Sequence, residues 1–131
     1  MPSANLLRVG NDVVDLTHVR TRDKSSDERF LARVFTDSER AGIGRAPDPD
    51  LDVWCRWAAK EAVVKVLGTG FVKGITFHDV EVLPLHTGQP EIRLTGEAAE
   101  RAAEQQIDSV LISISHAQLY ATATAIGTSC N

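Results

Sequence analysis

Between Leu51 and Leu67 almost every position is apolar, broken only by Asp52, Arg56, Lys60, Glu61 and Lys65. No proline interrupts the run and Gly68 closes it, which predicts one long helix with a glycine C-cap. At about 100° per residue, Glu61 projects between the directions of Trp54, Trp57 and Ala58, an otherwise apolar arc. A carboxylate there is costly to bury without compensation. Lys65, one turn further on, supplies it as an ordinary i,i+4 pair worth a few tenths of a kcal/mol; a bound metal ion would supply it too.

The flanking patterns are shorter. Residues 6–14 read as a strand interrupted by Gly10. Ser26 or Asp27 can cap a helix whose face carries Phe30, Leu31, Val34 and Phe35. Thr36 with Glu39 three residues later has the signature of a capping box. Pro47 and Pro49 make residues 45–50 a loop. Residues 77–83 alternate as a strand, a turn is expected over 86–90, and 91–94 would return as the second strand of a hairpin. A helix opened by Thr95 or Gly96 runs through Gln106 with alanines at 98, 99, 102 and 103. Two last strands, 109–115 and 119–126, flank a turn at 116–118. The class expected is α+β, an antiparallel sheet packed on the long central helix, with residues 1–131 forming one domain.

Composition narrows the function without naming it. With 131 residues, 43% apolar and 24% charged, the balance is that of a soluble globular protein with its own core. No apolar run approaches the roughly 18 residues of a membrane span, and the first residues lack the basic start and apolar segment of a signal peptide. Two cysteines at 55 and 130 suggest neither a disulfide framework nor a zinc site. A free-standing cytoplasmic protein with no membrane partner is expected. The net charge of −4 speaks against general nucleic-acid binding. Arg20, Arg22, Lys24, Arg29 and Arg33 nevertheless concentrate positive charge locally, as a solvated face or as the landing surface of an acidic partner.

Four constellations carry candidate chemistry. Asp12 and Asp15 follow Gly10-Asn11 where the first strand ends. Asp15 reads as a turn former or cap; Asp12 is either a cap or, with Glu61, half of the sparse oxygen set by which Mg²⁺ is held beside water and substrate phosphates. Ser113, Ser115 and His116 close an apolar strand, either as a phosphate- or amide-binding terminus or as plain surface. Gly68, Thr69 and Gly70 end the helix and leave room for a ligand, although the segment is not a P-loop. Arg56 and Lys60, four apart on another side of the helix, are placed to meet phosphate or to be solvated. No nucleophile elbow accompanies His116.

Read in order, Gly10-Asn11-Asp12, Arg29-Phe30, Phe35-Thr36-Asp37-Ser38-Glu39, Arg56-Trp57-Ala58-Ala59-Lys60-Glu61-Ala62-Val63-Val64-Lys65, Gly68-Thr69-Gly70 and Ser113-Ile114-Ser115-His116 resemble the 4′-phosphopantetheinyl transferases, in their short holo-acyl-carrier-protein synthase form. The resemblance spans about Val9 to Ala125. It implies the fold of that family and transfer of the phosphopantetheine arm of coenzyme A to a serine of an apo acyl carrier protein, with release of adenosine 3′,5′-bisphosphate. It implies Asp12 and Glu61 as Mg²⁺ ligands and Lys65 beside the pyrophosphate; for the group that takes the serine proton, the chemistry of phosphoryl transfer admits both Glu61, through a metal-bound water, and Lys65. Arg56 matches a position near the 3′-phosphate; Ser113, Ser115 and His116 match the coenzyme-A-contacting strand end, beside Gly68, Thr69 and Gly70. Val14 stands where larger relatives have a third carboxylate, as expected of the short, homotrimeric type. The runner-up reading is a coenzyme-A- or nucleotide-binding module without transfer activity.

Overall fold

The computed structural model describes residues 4–70, 74–84 and 88–130. The predicted turn at His86 and Thr87 and the part of the glycine-rich segment at 71–73 lie outside them. The chain opens with a long strand, β1 (Ala4–Asp15), and a single helical turn, α1 (Leu16–Val19), whose N-cap is Asp15. Helix α2 (Glu28–Val34) starts on Asp27, which accepts the Phe30 N–H at 3.1 Å. Helix α3 (Asp37–Arg45) starts on Thr36 with the predicted capping box: Thr36 Oγ1 accepts from Glu39 N, and Glu39 Oε1 accepts from Thr36 N.

The central helix, α4, runs Pro49–Leu67 and so begins two residues earlier than its apolar pattern. A proline is tolerated in the first helical turn, where its missing N–H has no intrahelical acceptor, and Asp48 caps the turn through Leu51 N. The expected loop therefore shrinks to residues 46–48. At the other end Gly68 adopts φ 79°, a left-handed C-cap.

The expected strand over residues 77–83 is corrected at its start. Residues 77–79 form a 3₁₀ turn, and the hairpin is β2 (Val80–Pro84) with β3 (Pro90–Leu94). Asp79 causes the turn: its Oδ2 accepts Thr76 N–H at 3.2 Å and its carbonyl accepts Thr95 N–H at 2.9 Å, which folds the chain back before β2 begins. Helix α5 (Gly96–Glu104) follows, then β4 (Ser109–His116) and β5 (Tyr120–Cys130). α5 stops short of Gln106, which takes a positive φ of 61°.

Strand β5 is central in an antiparallel sheet of order β1-β5-β4, and the β2–β3 hairpin forms a separate two-stranded sheet. α4 lies across the inner face of the larger sheet. Small residues make that approach close: Ala121, Ala123 and Ala125 of β5 are buried against a helix face containing Ala58, Ala59, Ala62 and Val66. The class is α+β, as expected. Among the described residues no helix is long and apolar enough to cross a membrane.

Candidate active site

Strand alternation turns Gly10, Asp12 and Val14 towards α4 and leaves Val9, Asn11 and Val13 outside. Gly10 sets the distance between the two elements. A Cβ at that position would stand 2.1 Å from the Ala62 carbonyl oxygen and 3.0 Å from Lys65 Cβ. Only a glycine lets β1 lie that close to the helix backbone, and this brings Asp12 alongside the last turns of α4.

There the two carboxylates singled out in the sequence meet. Lys65 Nζ donates to the Asn11 carbonyl at 2.7 Å and to Asp12 Oδ1 at 3.3 Å. Burial pushes the Glu61 carboxyl above its ordinary range, and the Asp12 charge adds to the rise; Lys65 opposes both. Two carboxylates close enough for the Asp12 charge to be felt at Glu61, flanked by a half-exposed ammonium, are a setting that a divalent cation would stabilise. Hard oxygen donors of this kind suit Mg²⁺, which takes few protein ligands and keeps water or phosphate in the others. Asp12 is not a cap; Asp15 is, accepting from Thr17 N at 3.0 Å. The Asn11 side chain points away from the site and bonds Ala123 O and Thr124 Oγ1 across the sheet.

A second feature lies elsewhere around the helix. Arg56 precedes Glu61 by five residues, about 140° around the axis, and borders a cleft of about 500 Å³. Its wall is formed by Asp48, Leu51, Asp52 and Cys55, by Val82 to Pro84 of β2, by Gly88 and Pro90, and by Ile114 and His116 of β4. Burial first, then the Asp52 and Asp48 charges, push the Cys55 thiol up to about 11, so it stays protonated at neutral pH.

The remaining predicted residues divide. His116 lines this cleft, but Ser113 and Ser115 do not: they stand on the outer face of the sheet, opposite Thr124 and Thr122 of β5. Gly68 and Gly70 take left-handed φ values that end α4 beside Arg8 of β1, and Thr69 Oγ1 donates to the Gly70 carbonyl. Lys60 is neither solvated nor free for phosphate. It is fully buried, donating to Glu39 Oε1 at 2.9 Å and to the carbonyls of Phe77 and Val80, while Glu39 Oε2 accepts Val82 N–H at 2.8 Å. Arg56 is likewise buried, donating through Nε to Asp52 at 2.8 Å and to the Val82 carbonyl. The basic cluster is smaller than its sequence suggests, because Arg20 is tied to Asp48 and Asp50 at 2.9 Å each and Lys24 to Asp27. Arg22, Arg29 and Arg33 remain exposed, and Phe30 is core, stacked 6.0 Å from Trp57.

Sequence reasoning missed three participants. Gly10 was legible only as a break in a strand, Glu39 only as a capping-box residue, and Asp52 only as one charge in a helix. The i,i+4 spacing of Asp52 and Arg56 was the available signal for the last of these.

The model of the 4′-phosphopantetheinyl transferase superfamily matches residues 8–125, and the chain belongs to that family. The holo-[acyl-carrier-protein] synthase of Verminephrobacter eiseniae is 42% identical over 120 residues, 92% of either chain. That of Protochlamydia amoebophila is 41% identical over 123 residues, 94% of this chain and 98% of its own. The crystal structure of Helicobacter pylori holo-[acyl-carrier-protein] synthase in complex with coenzyme A superposes with a TM-score of 0.76 at 26% identity, covering 91% of this chain and 98% of that one.

Proposed function

We propose that this chain transfers the 4′-phosphopantetheine group of coenzyme A to a serine of an apo acyl carrier protein, in a Mg²⁺-dependent reaction that releases adenosine 3′,5′-bisphosphate. The observation that carries the reading is the meeting of Asp12, Glu61 and Lys65 from distant parts of the chain. In the reaction the serine Oγ forms a bond to the β-phosphorus of coenzyme A. The bond from that phosphorus to the bridging oxygen breaks, and the serine proton passes to a base. Such transfers depend chiefly on positioning and on neutralising charge at the phosphate oxygens. A Mg²⁺ ion held by Asp12 and Glu61 would supply polarisation of the pyrophosphate. Lys65, half exposed and anchored on the Asn11 carbonyl, would bring its ammonium to the negative charge that builds on the leaving phosphate. Glu61, whose proton affinity is raised, can accept the serine proton; Lys65 is the alternative only as the neutral amine, a form that would not supply the positive charge.

The cleft beside Arg56 and His116 would take the nucleotide end of coenzyme A. Asp12 lies on one edge strand of the sheet and His116 on the other, with β5 between them. Adjacent strands are roughly 4.8 Å apart, so the carboxylate pair and the cleft open at opposite edges. An assembly that sets the β1 edge of one copy against the β4 edge of another would join them in one site, and a homotrimer does this by rotation. The outer sheet face supports such an assembly, since it exposes Val9, Val13, Leu111 and Tyr120, each about half exposed or more. Ser113 and Ser115, on that face, would then stand at the subunit boundary. An acidic carrier protein would land on Arg22, Arg29 and Arg33.

Incubation with coenzyme A, Mg²⁺ and an apo carrier protein, followed by intact-mass spectrometry, tests the function. One phosphopantetheine should appear on one serine, with equimolar adenosine 3′,5′-bisphosphate, and chelation of Mg²⁺ should abolish both. Binding of coenzyme A with no mass change across several carriers would leave only a nucleotide-binding module.

A further inference from the structure

We propose that Asp52 is a specificity-determining residue of the nucleotide cleft: by occupying Arg56 it withholds the guanidinium from a ligand's 3′-phosphate. The inference rests on the reading that the cleft beside Arg56 takes the nucleotide end of coenzyme A.

Arginine reads phosphate best through two parallel N–H donors. At Arg56 that fork is already engaged. Nε donates to Asp52 Oδ2 at 2.8 Å, and Nη1 donates to the Val82 carbonyl. Nη2 is packed against the backbone of α3, where a Cβ on Gly42 would stand 2.6 Å from it. The side chain is also buried, so it cannot swing out to a new partner without leaving a charge uncompensated. An incoming phosphate must therefore displace Asp52 from Nε or approach Arg56 with that carboxylate still in place.

The wall of the cleft adds to the competition. Asp48 lines it together with Asp52, and the cation that neutralises Asp48, Arg20, is not part of the wall. The negative field of the two carboxylates is felt at a third group, since both raise the Cys55 thiol. Among the described lining residues, Arg56 and His116 are the basic ones. A 3′-phosphate entering here gains little, because its best donor is held by an intramolecular carboxylate at i−4, prepositioned by the helix.

Specificity is a difference of affinities, so the consequence is measurable as a ratio. The native protein is expected to bind adenosine 3′,5′-bisphosphate only a few-fold more tightly than adenosine 5′-phosphate. Asp52→Asn removes the charge yet keeps an oxygen that can accept from Arg56 Nε, so the helix and the buried guanidinium are retained. In that variant the preference for the bisphosphate should rise by about tenfold, the scale of one charge-assisted hydrogen bond.

The experiment is calorimetric titration of the assembled protein with both nucleotides, on the native chain and on Asp52→Asn, Arg56→Lys and Asp48→Asn, with thermal melts to establish folding. Asp48→Asn keeps the α4 cap, because asparagine caps as well as aspartate, and serves to separate the general field from the specific pair. A rise in the ratio confined to Asp52→Asn, and removed again in the Asp52→Asn/Arg56→Lys double variant, supports the proposal. An equal rise with Asp48→Asn overturns it, as does an unchanged ratio in Asp52→Asn while Arg56→Lys weakens bisphosphate binding; in both cases the cleft still binds the nucleotide. If none of the folded variants changes the affinity for either nucleotide, the cleft is not the nucleotide site and the underlying reading falls with the proposal.

Discussion

Gly10 is the single residue on which the geometry of the carboxylate site most depends. A methyl group there would meet the Ala62 carbonyl at 2.1 Å, a contact with backbone that no rotamer change relieves. Gly10→Ala is therefore expected to push β1 away from α4 and to cost about 1–3 kcal/mol, the range for overpacking. Transfer should fall further than the loss of stability explains, because Asp12 moves with the strand; thermal melts and turnover measured on the same preparation check this. Glu61 has the opposite character. Its folded pKa lies above the unfolded value, so in the window between them the folded chain holds a proton that the unfolded chain releases. Stability falls as pH rises through that window and stays reduced above it. Without Mg²⁺, Glu61→Gln should then melt higher than the native protein at pH 7, with the gap closing as pH falls below the ordinary carboxylate range. The same variant should lose Mg²⁺-dependent transfer. A lower melting temperature for the variant at pH 7 would refute the assignment of a carboxylate whose burial outweighs the attraction of Lys65.

At the scale of elements, the fold turns on how α4 is held from several sides. One fixture is polar: Lys60 and Glu39, both with no exposed side-chain surface, tie α4 to α3, to the 3₁₀ turn and to β2 through Val80 O and Val82 N. Burial lowers the Lys60 pKa despite the neighbouring Glu39. Lys60→Met should cost about 3–5 kcal/mol, because it strands the Glu39 charge in the core. Adding Glu39→Gln should recover part of that loss, since it removes the stranded charge, although the amide oxygen can replace only one of the two carboxylate oxygens that accept from Thr36 N and Val82 N. Chemical denaturation of the two variants distinguishes this from a pair that contributes little. Lys60 thus shares a sequence motif with Glu61 but serves a different purpose, since one neighbour faces the core and the other the site.

For the whole molecule, the exposed outer face of the β1-β5-β4 sheet is where the proposed trimer is open to test. Val9 and Leu111 flank Ile126 across the sheet, and Val13 lies four residues further along β1 on the same face. An apolar row of this kind is stable in water when another copy covers it. Val13→Lys with Leu111→Lys is expected to leave the fold intact, since both side chains already face solvent in the single chain. It should reduce the mass in light scattering from trimer to monomer and abolish transfer, because neither sheet edge then meets its complement. A monomeric mass for the native protein would remove the trimer, and unchanged transfer by a monomeric variant would show that each chain works alone.

Local chemistry made much of this legible from the sequence. Capping residues are read by their own neighbours, so Asp27, Thr36 with Glu39, and Gly68 marked helix ends that the structure bears out. The apolar run of α4 and the alternation of β4 and β5 likewise depend on period alone. Where the reading went astray, a distant partner intervened. Residues 77–79 alternate like a strand, yet Asp79 finds Thr76 and Thr95 and bends the chain. Arg20 and Lys60 look like free cations until the fold brings Asp48 and Glu39 to them; Arg56 differs, because its partner Asp52 is local, one helical turn back, and readable from its i,i+4 spacing. Ser113 and Ser115 share a motif with His116 but stand on the other face of the strand. Period, caps and side-chain type were enough for the main helices, several of their ends and the list of groups able to handle phosphate and metal, but not for the single turn of α1, the start of α4 or the end of α5. Only the tertiary structure decided which of those groups meet, because a pairing such as Asp12 with Lys65 depends on a strand and a helix far apart in the chain approaching to the distance that Gly10 allows.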